Sequence, residues 1–226
     1  MSGYEVIFAG QNLARIFAGL VTAGQISLLS LILGLPLGII LGILRTLGRQ
    51  WVEVILKLYL EMVRILPLLV LLYVFYYSLP QVSSATWSNF TVSVLVFVIW
   101  VSAEVSDLVQ AAIRAIPKSQ LDSARALALS PGQIYRYVIL PQCLRSLIAP
   151  CVNLITRVFK STSILLMIGV DEIIRIGTQI IENYTYTVPT ASFWVYGFIF
   201  CLCFAICFPI SQLSKYLEKR LGKELS

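Results

Sequence analysis

PKSQLDSARALALSPGQIYRYVILPQCLR, residues Pro117 to Arg145, is the stretch on which the rest of the chain turns. Apolar runs flank it on both sides, yet it carries Lys118, Asp122, Arg125, Arg136 and Arg145, so it belongs in water or against another protein rather than in hydrocarbon. Ser119 and Asp122 have the spacing of a capping box with Asp in place of Glu. Ser130-Pro131 should end the helix that Ser119 opens, because proline brings no backbone donor. The expectation is a helix of about two or three turns. Leu121, Ala124 and Ala128 recur at i, i+3 and i+7 and form a narrow face of small residues suited to a groove, while Asp122 and Arg125 point elsewhere.

The surroundings of this loop are those of a membrane protein. Of 226 residues, 58% are hydrophobic and 12% charged, too apolar for an ordinary soluble domain. The net charge of +6 is read as the basic bias of cytoplasmic connections, and no nucleic-acid partner is implied. Working outward, five spans are expected, at roughly 19–44, 54–78, 90–112, 144–169 and 192–214, all in one membrane domain covering 1–226. The fold class is therefore an all-α integral membrane protein, with membrane lipid as its solvent. Residues 1–18 read as a short amphipathic lead-in, and no cleaved signal peptide is expected. Gly34, Gly38 and Gly42 repeat every four residues and predict close approach of a second helix. Pro67 offers a possible break in the second span.

Lys and Arg fix an orientation. Arg45 and Arg49, the loop from Arg114 to Arg145, and the tail with Lys215, Lys219, Arg220 and Lys223 should share the cytoplasmic side. That places the N-terminus outside and the C-terminus inside. Five cysteines, Cys143, Cys151, Cys201, Cys203 and Cys207, form no CxxC pair, and with no histidine in the chain no metal site is expected. Gly222-Lys223 is followed by Glu224 and lacks the upstream glycine of a phosphate loop, so any ATP chemistry belongs to another chain.

Six charges within the expected spans form three i, i+3 pairs, one on each of spans two, three and four: Glu61 and Arg64, Glu104 and Asp107, Arg157 and Lys160. Ionisable groups at membrane depth face the bundle interior or a wet cavity, so these six should cluster and neutralise one another. They form either a structural ion-pair network or a polar route for a zwitterionic or charged solute.

The loop, with Gln120 to Ala128 followed by Ile139-Leu140-Pro141-Gln142, resembles the "EAA" loop of permease subunits in bacterial ATP-binding-cassette importers, especially those for polar amino acids. Asp122, Ser123 and Ala128 stand where that pattern has Glu, Ala and Gly. Tyr59, Glu61, Arg64, Pro67, Leu68 and Leu69 resemble the family's Y-x-E-x-x-R-x-x-P-L-L run, and Lys160-Ser161-Thr162-Ser163-Ile164 its K-D-T-S-L run. Gly19, Thr22 and Asn153 fall in the same order, while Asp107, Gln110 and Ser161 depart from the family's usual residues. The resemblance implies a transport subunit rather than an enzyme, in the bacterial inner membrane, working by alternating access on a polar solute such as an amino acid. It implies that Leu121, Asp122, Ser123, Ala124, Leu127, Ala128 and Pro131 contact an ATPase, and that Glu61, Arg64, Glu104, Asp107, Asn153, Arg157, Lys160 and Ser163 line the solute path or pair within the membrane. Implied partners are ATPase subunits holding ATP and Mg, a second permease chain, and an extracytoplasmic solute-binding protein, with no cofactor on this chain. A self-sufficient secondary transporter or channel with an ion-pair relay is the alternative; a membrane enzyme using Glu104 and Asp107 has no nucleophile motif behind it.

Overall fold

The computed structural model describes residues 2–46, 50–83 and 85–223, with side chains to residue 220; Arg49 and the side chain of Lys223, both counted in the basic bias, lie outside the described portion. Every regular element among the described residues is helical. In chain order they are α1 (Glu5–Phe8), α2 (Asn12–Leu44), α3 (Gln50–Ile65), α4 (Leu68–Val82), α5 (Asn89–Arg114), α6 (Lys118–Ala126), α7 (Pro131–Ile134), α8 (Leu140–Ser161), α9 (Ile173–Tyr184) and α10 (Ala191–Lys223). One π turn, Tyr135–Ile139, joins α7 to α8, and a 3-10 segment, Thr162–Ile168, continues α8 to Gly169, where a φ of +80° ends it.

Packing of α2 against α5 forms the centre, and glycine makes it possible. A Cβ on Gly34, Gly38 or Gly42 would lie 2.8, 2.6 and 2.6 Å from the Cβ atoms of Val101, Val105 and Val109, respectively. The four-residue repeat on α2 thus meets a four-residue repeat on α5, and the backbones come as close as the missing side chains allow. Around this seam, Val96, Phe97, Leu72, Leu154 and Leu165 are completely or almost completely buried. A second, smaller core gathers Val6, Ile16, Ile173, Ile180, Val195 and Ile199 where α2 begins, beside α9 and the start of α10.

Three boundaries differ from those expected. At 33 residues α2 is about 50 Å long, well beyond the hydrocarbon thickness, so residues 12–18 are not a separate interfacial lead-in but the first turns of the first spanning helix. The stretch 54–78 is not one span. Helices α3 and α4 turn by 104° at their junction, where Pro67, lacking an N–H, excludes the helical conformation at Leu66 and starts α4 afresh. Finally, the second half of the loop is helical: a continuous run from Pro131 to Ile168 is long and apolar enough to span, so four helices meet that test, or five with the bent pair counted as one.

Candidate functional site, a charged cavity above a hydrophilic loop

Glu104 and Asp107, three residues apart on α5, direct their carboxylates to different neighbours. Asp107 takes Arg64 of α3 at 2.9 Å through Oδ2, and its Oδ1 lies 3.6 Å from Nη1 of Arg45 at the end of α2. Glu104 takes Arg157 of α8 at 2.9 Å, and the guanidinium of Arg157 stands 5.8 Å from the centre of the Trp100 ring, within cation–π range. One face of α5 therefore ties together the ends or middles of three other helices. The expected pairing of the six charges is met for Arg64 with Asp107 and Arg157 with Glu104. It fails for the other two: Glu61 faces Lys57, at 3.7 Å, and Lys160 has no carboxylate within ion-pair distance among the described residues.

Arg45 and Lys57 were not among the residues expected at this site. Arg45 looks like a loop residue because it comes after the last apolar run, yet it lies three positions beyond Gly42 and so continues the seam that faces α5. It is buried to 9% exposure, and its Nε and Nη1 have no hydrogen-bond partner among the described residues. With Lys57, Glu61, Arg64, Glu104 and Asp107 it lines a cavity of about 440 Å³. Tyr59 fixes α3 against α5 nearby, its hydroxyl donating to the carbonyl of Ile99 and lying 3.0 Å from Oγ of Ser102. A second cavity, of about 370 Å³, opens between α8 and α10 and is walled by Asn153, Thr156, Lys160 and the rings of Phe200, Phe204 and Phe208. Ser163, by contrast, turns its hydroxyl to the carbonyl of Lys160 and serves the local turn.

The loop is built differently from its sequence reading. Pro117 occupies the N-cap of α6 and no capping bond forms at Ser119; Asp122 instead pairs along the helix with Arg125 at 3.1 Å, both exposed. The capping box is one helix later, where the Ser130 amide donates to Oε1 of Gln133 at 2.8 Å and the Gln133 amide to Oγ of Ser130, with Pro131 as the first residue of α7. Ser130-Pro131 thus begins a helix rather than simply ending one. Ala128 adopts a φ of +56°, the conformation that favours glycine. The amides of Ala128 and Leu129 donate back to the carbonyls of Arg125 and Ala124, closing α6 with a Schellman motif.

Nor do the residues of the small face all point outward. Ala124 is 4% exposed and packs against its own loop, Leu121 is half-buried, and the exposed surface of α6 and its end presents Ser123, Leu127 and Ala128. Gln142 in the first turn of α8 donates to Gln120 of α6 at 2.8 Å and to the carbonyl of Val138, tying the loop to the fourth spanning helix.

A bundle of long apolar helices, a charged cavity between them and a separately capped hydrophilic helix beneath it define a polytopic transport subunit. Residues 34–223 match the family described as binding-protein-dependent transport system inner membrane components, and the chain belongs to that family: it is a membrane permease component of an ATP-binding-cassette importer. It is 32% identical to the glutamine transport system permease protein of Escherichia coli over 70% of this chain and 73% of that one. It is 29% identical to a Rickettsia typhi protein assigned as a glutamine permease, over 98% and 99% of the two chains. An amino acid ABC transporter crystallised with histidines superposes with a TM-score of 0.84 at 26% identity, covering 93% of this chain and 95% of that one. The MetNI methionine ABC transporter shares the fold, with a TM-score of 0.62 to 0.63 at 18% identity. The family makes the chain a multi-pass inner-membrane protein, and the secondary-transporter reading is not favoured.

Proposed function

We propose that this permease moves a polar amino acid, of which glutamine is the model, into the cytoplasm by alternating access. It does so with a second permease chain, an extracytoplasmic solute-binding protein, and ATPase subunits that carry the ATP and Mg. Residues 114–145 and the C-terminus face the cytoplasm, and the N-terminus lies outside. The observation that carries the reading is the loop. A helix capped within its own segment, anchored inward by Ala124 and to α8 by Gln142, presents Leu127 at 76% exposure. An isolated apolar side chain on a hydrophilic, well-braced helix is what a partner's pocket takes as an anchor. Ser123, Ala128 and Pro131 lie beside it, while Asp122 stays with Arg125.

Co-purification tests this. Leu127→Asp should leave an inserted, folded permease that retains its ATPase at least about tenfold less well, the scale of a lost anchor residue. Tyr186→Ala, 98% exposed in the turn between α9 and α10, should retain it normally. Equal ATPase retention and equal transport in the two variants would remove the coupling role from this helix.

A further inference from the structure

We infer that Arg45 and Gln110, where α2 ends beside α5, hold a small monovalent inorganic anion, a halide of which chloride is the common form. The ion is a resident of the permease and not its cargo, so the site stands independently of the solute proposed above.

The charged groups at this end of the bundle do not sum to zero. Arg64 pairs with Asp107 at 2.9 Å, Arg157 with Glu104 at 2.9 Å and Lys57 with Glu61 at 3.7 Å. That leaves Arg45 over, because the carboxylate it approaches, Asp107, is 3.6 Å away, beyond hydrogen-bond range, and is already taken by Arg64. Arg114 and Glu53 cancel each other, and Leu47, Gly48 and Arg49 bring no acid. A cation that is nine-tenths buried and lacks a counter-charge is costly, and an anion beside it removes the cost.

The buried donors agree with the charge. Nε and Nη1 of Arg45, Nε2 of Gln110 and Oγ of Ser106 have no hydrogen-bond partner among the described residues, and Gln110 and Ser106 are 5% and 0% exposed. Gly42 meets Val109 across the seam, so Arg45 leaves α2 about one turn further on and reaches back to Asp107 past the level of Gln110. Ser106 lies one turn before Gln110 on the same side of α5. Unpaired N–H and O–H donors around an excess positive charge are what an anion needs. Water would satisfy the donors and leave the charge, whereas a divalent anion such as sulfate would reverse it. A lipid phosphate would be held at Lys57, whose side chain is 64% exposed, before it reached a guanidinium set into the seam.

The test uses the permease with its ATPase in nanodiscs of phosphatidylcholine, which carries no net charge, with potassium chloride exchanged for potassium gluconate at constant ionic strength. The readouts are the chloride NMR line width and the melting temperature. Chloride should show protein-dependent excess broadening that potassium bromide removes. It should also raise the melting temperature saturably over gluconate, as a ligand of the folded state does. L-Glutamine should displace nothing. Arg45→Gln should raise the half-saturating chloride concentration at least about tenfold. Gln110→Glu, which sets a carboxylate beside the guanidinium in place of the ion, should abolish the broadening, and it decides the matter even where Arg45→Gln fails to insert. Arg114→Gln, in the exposed pair with Glu53, should bind chloride as the unaltered chain does. An equal response to chloride in the unaltered chain, Arg45→Gln and Gln110→Glu would show a general salt effect and overturn the proposal. So would no excess broadening at all, which leaves water at the donors; displacement by L-glutamine, which gives Arg45 to the solute; or displacement by phosphatidylglycerol in the nanodisc, which gives it to lipid.

Discussion

Replacing Ala128 by glycine tests how the loop is held in shape. At φ +56° the methyl group of alanine crowds the backbone, a cost of roughly 1 to 2 kcal/mol for an L-residue in the left-handed region. Glycine removes that cost but gives back about 0.4 to 1 kcal/mol through the greater freedom of the unfolded chain. The net gain is about 0.5 to 1 kcal/mol in favour of the closed turn, which at 25 °C is roughly two- to fivefold in its opening equilibrium. Valine, branched at Cβ, should move the balance the other way by about 1 kcal/mol or more. The amides that report it are those of Ala128 and Leu129, whose partners are the carbonyls of Arg125 and Ala124. Hydrogen exchange of peptides spanning 118–134 should slow in Ala128→Gly and accelerate in Ala128→Val, with the rest of the bundle unchanged. Equal rates in the three proteins would refute the argument that this position carries backbone strain.

Arg64→Leu should destabilise the assembled protein by about 1 to 2 kcal/mol, less than a fully buried pair because both partners are close to 40% exposed, and the double variant Arg64→Leu, Asp107→Leu should recover part of the loss; thermal denaturation in detergent decides, and a double variant worse than the single one refutes the pairing. Burial pushes the Glu172 carboxyl up to about 7 from an ordinary 4.5, against two opposing backbone N–H bonds, so its contribution to stability is fully present below pH 4.5 and is lost as the pH rises through 7. Glu172→Gln should therefore flatten that loss, about 3 kcal/mol in all, and be the more stable protein at pH 8; parallel melting curves for the two from pH 5 to 8 would show that Glu172 is not the cause. Gln142→Ala removes the 2.8 Å bond from α8 to Gln120, and under the proposed coupling it should lower solute moved per ATP hydrolysed while ATPase retention stays normal; an unchanged ratio would place the coupling elsewhere.

How much the sequence disclosed depends on the range of each interaction. The repeat of Gly34, Gly38 and Gly42 was legible because it is local and has one use in an apolar helix, close approach. The charges were legible as a group that must be neutralised. Their partners were not, because residues at i, i+3 on one helix lie side by side and reach across to other helices, as Glu104 and Asp107 do to α8 and α3. Arg45 was hidden by its position at the end of an apolar run, although extending the glycine register by one turn would have turned it toward α5. In the loop, Ser119 had the right spacing for a cap but Pro117 already occupied that position, and Ser130 with Gln133 formed the box instead. Glu172, buried completely as the N-cap of α9, gave no signal, since an acid in a polar connection normally reads as solvated.

The position of the loop relative to the charged cavity indicates how one could act on the other. Gln142 lies in the first turn of α8, and Arg157 lies fifteen residues further along, about 22 Å at the rise of an α-helix. Between them α8 is regular apart from Pro150, whereas the five residues before it form a π turn, the weakest point of the run from Pro131 to Ile168. Under the proposed coupling, a displacement of α6 would enter α8 beyond that soft point, through the Gln120 to Gln142 bond, and travel along a stiff rod to the ion pair with Glu104. Glu104 and Asp107 share a face of α5, and α5 is locked to α2 by the glycine seam. The pair to give first would then be Arg157 with Glu104, where the displaced α8 meets an α5 held by the glycine seam. Asp107, paired with Arg64 and close to Arg45, would stay with α5 and hold the opposite wall of the cavity.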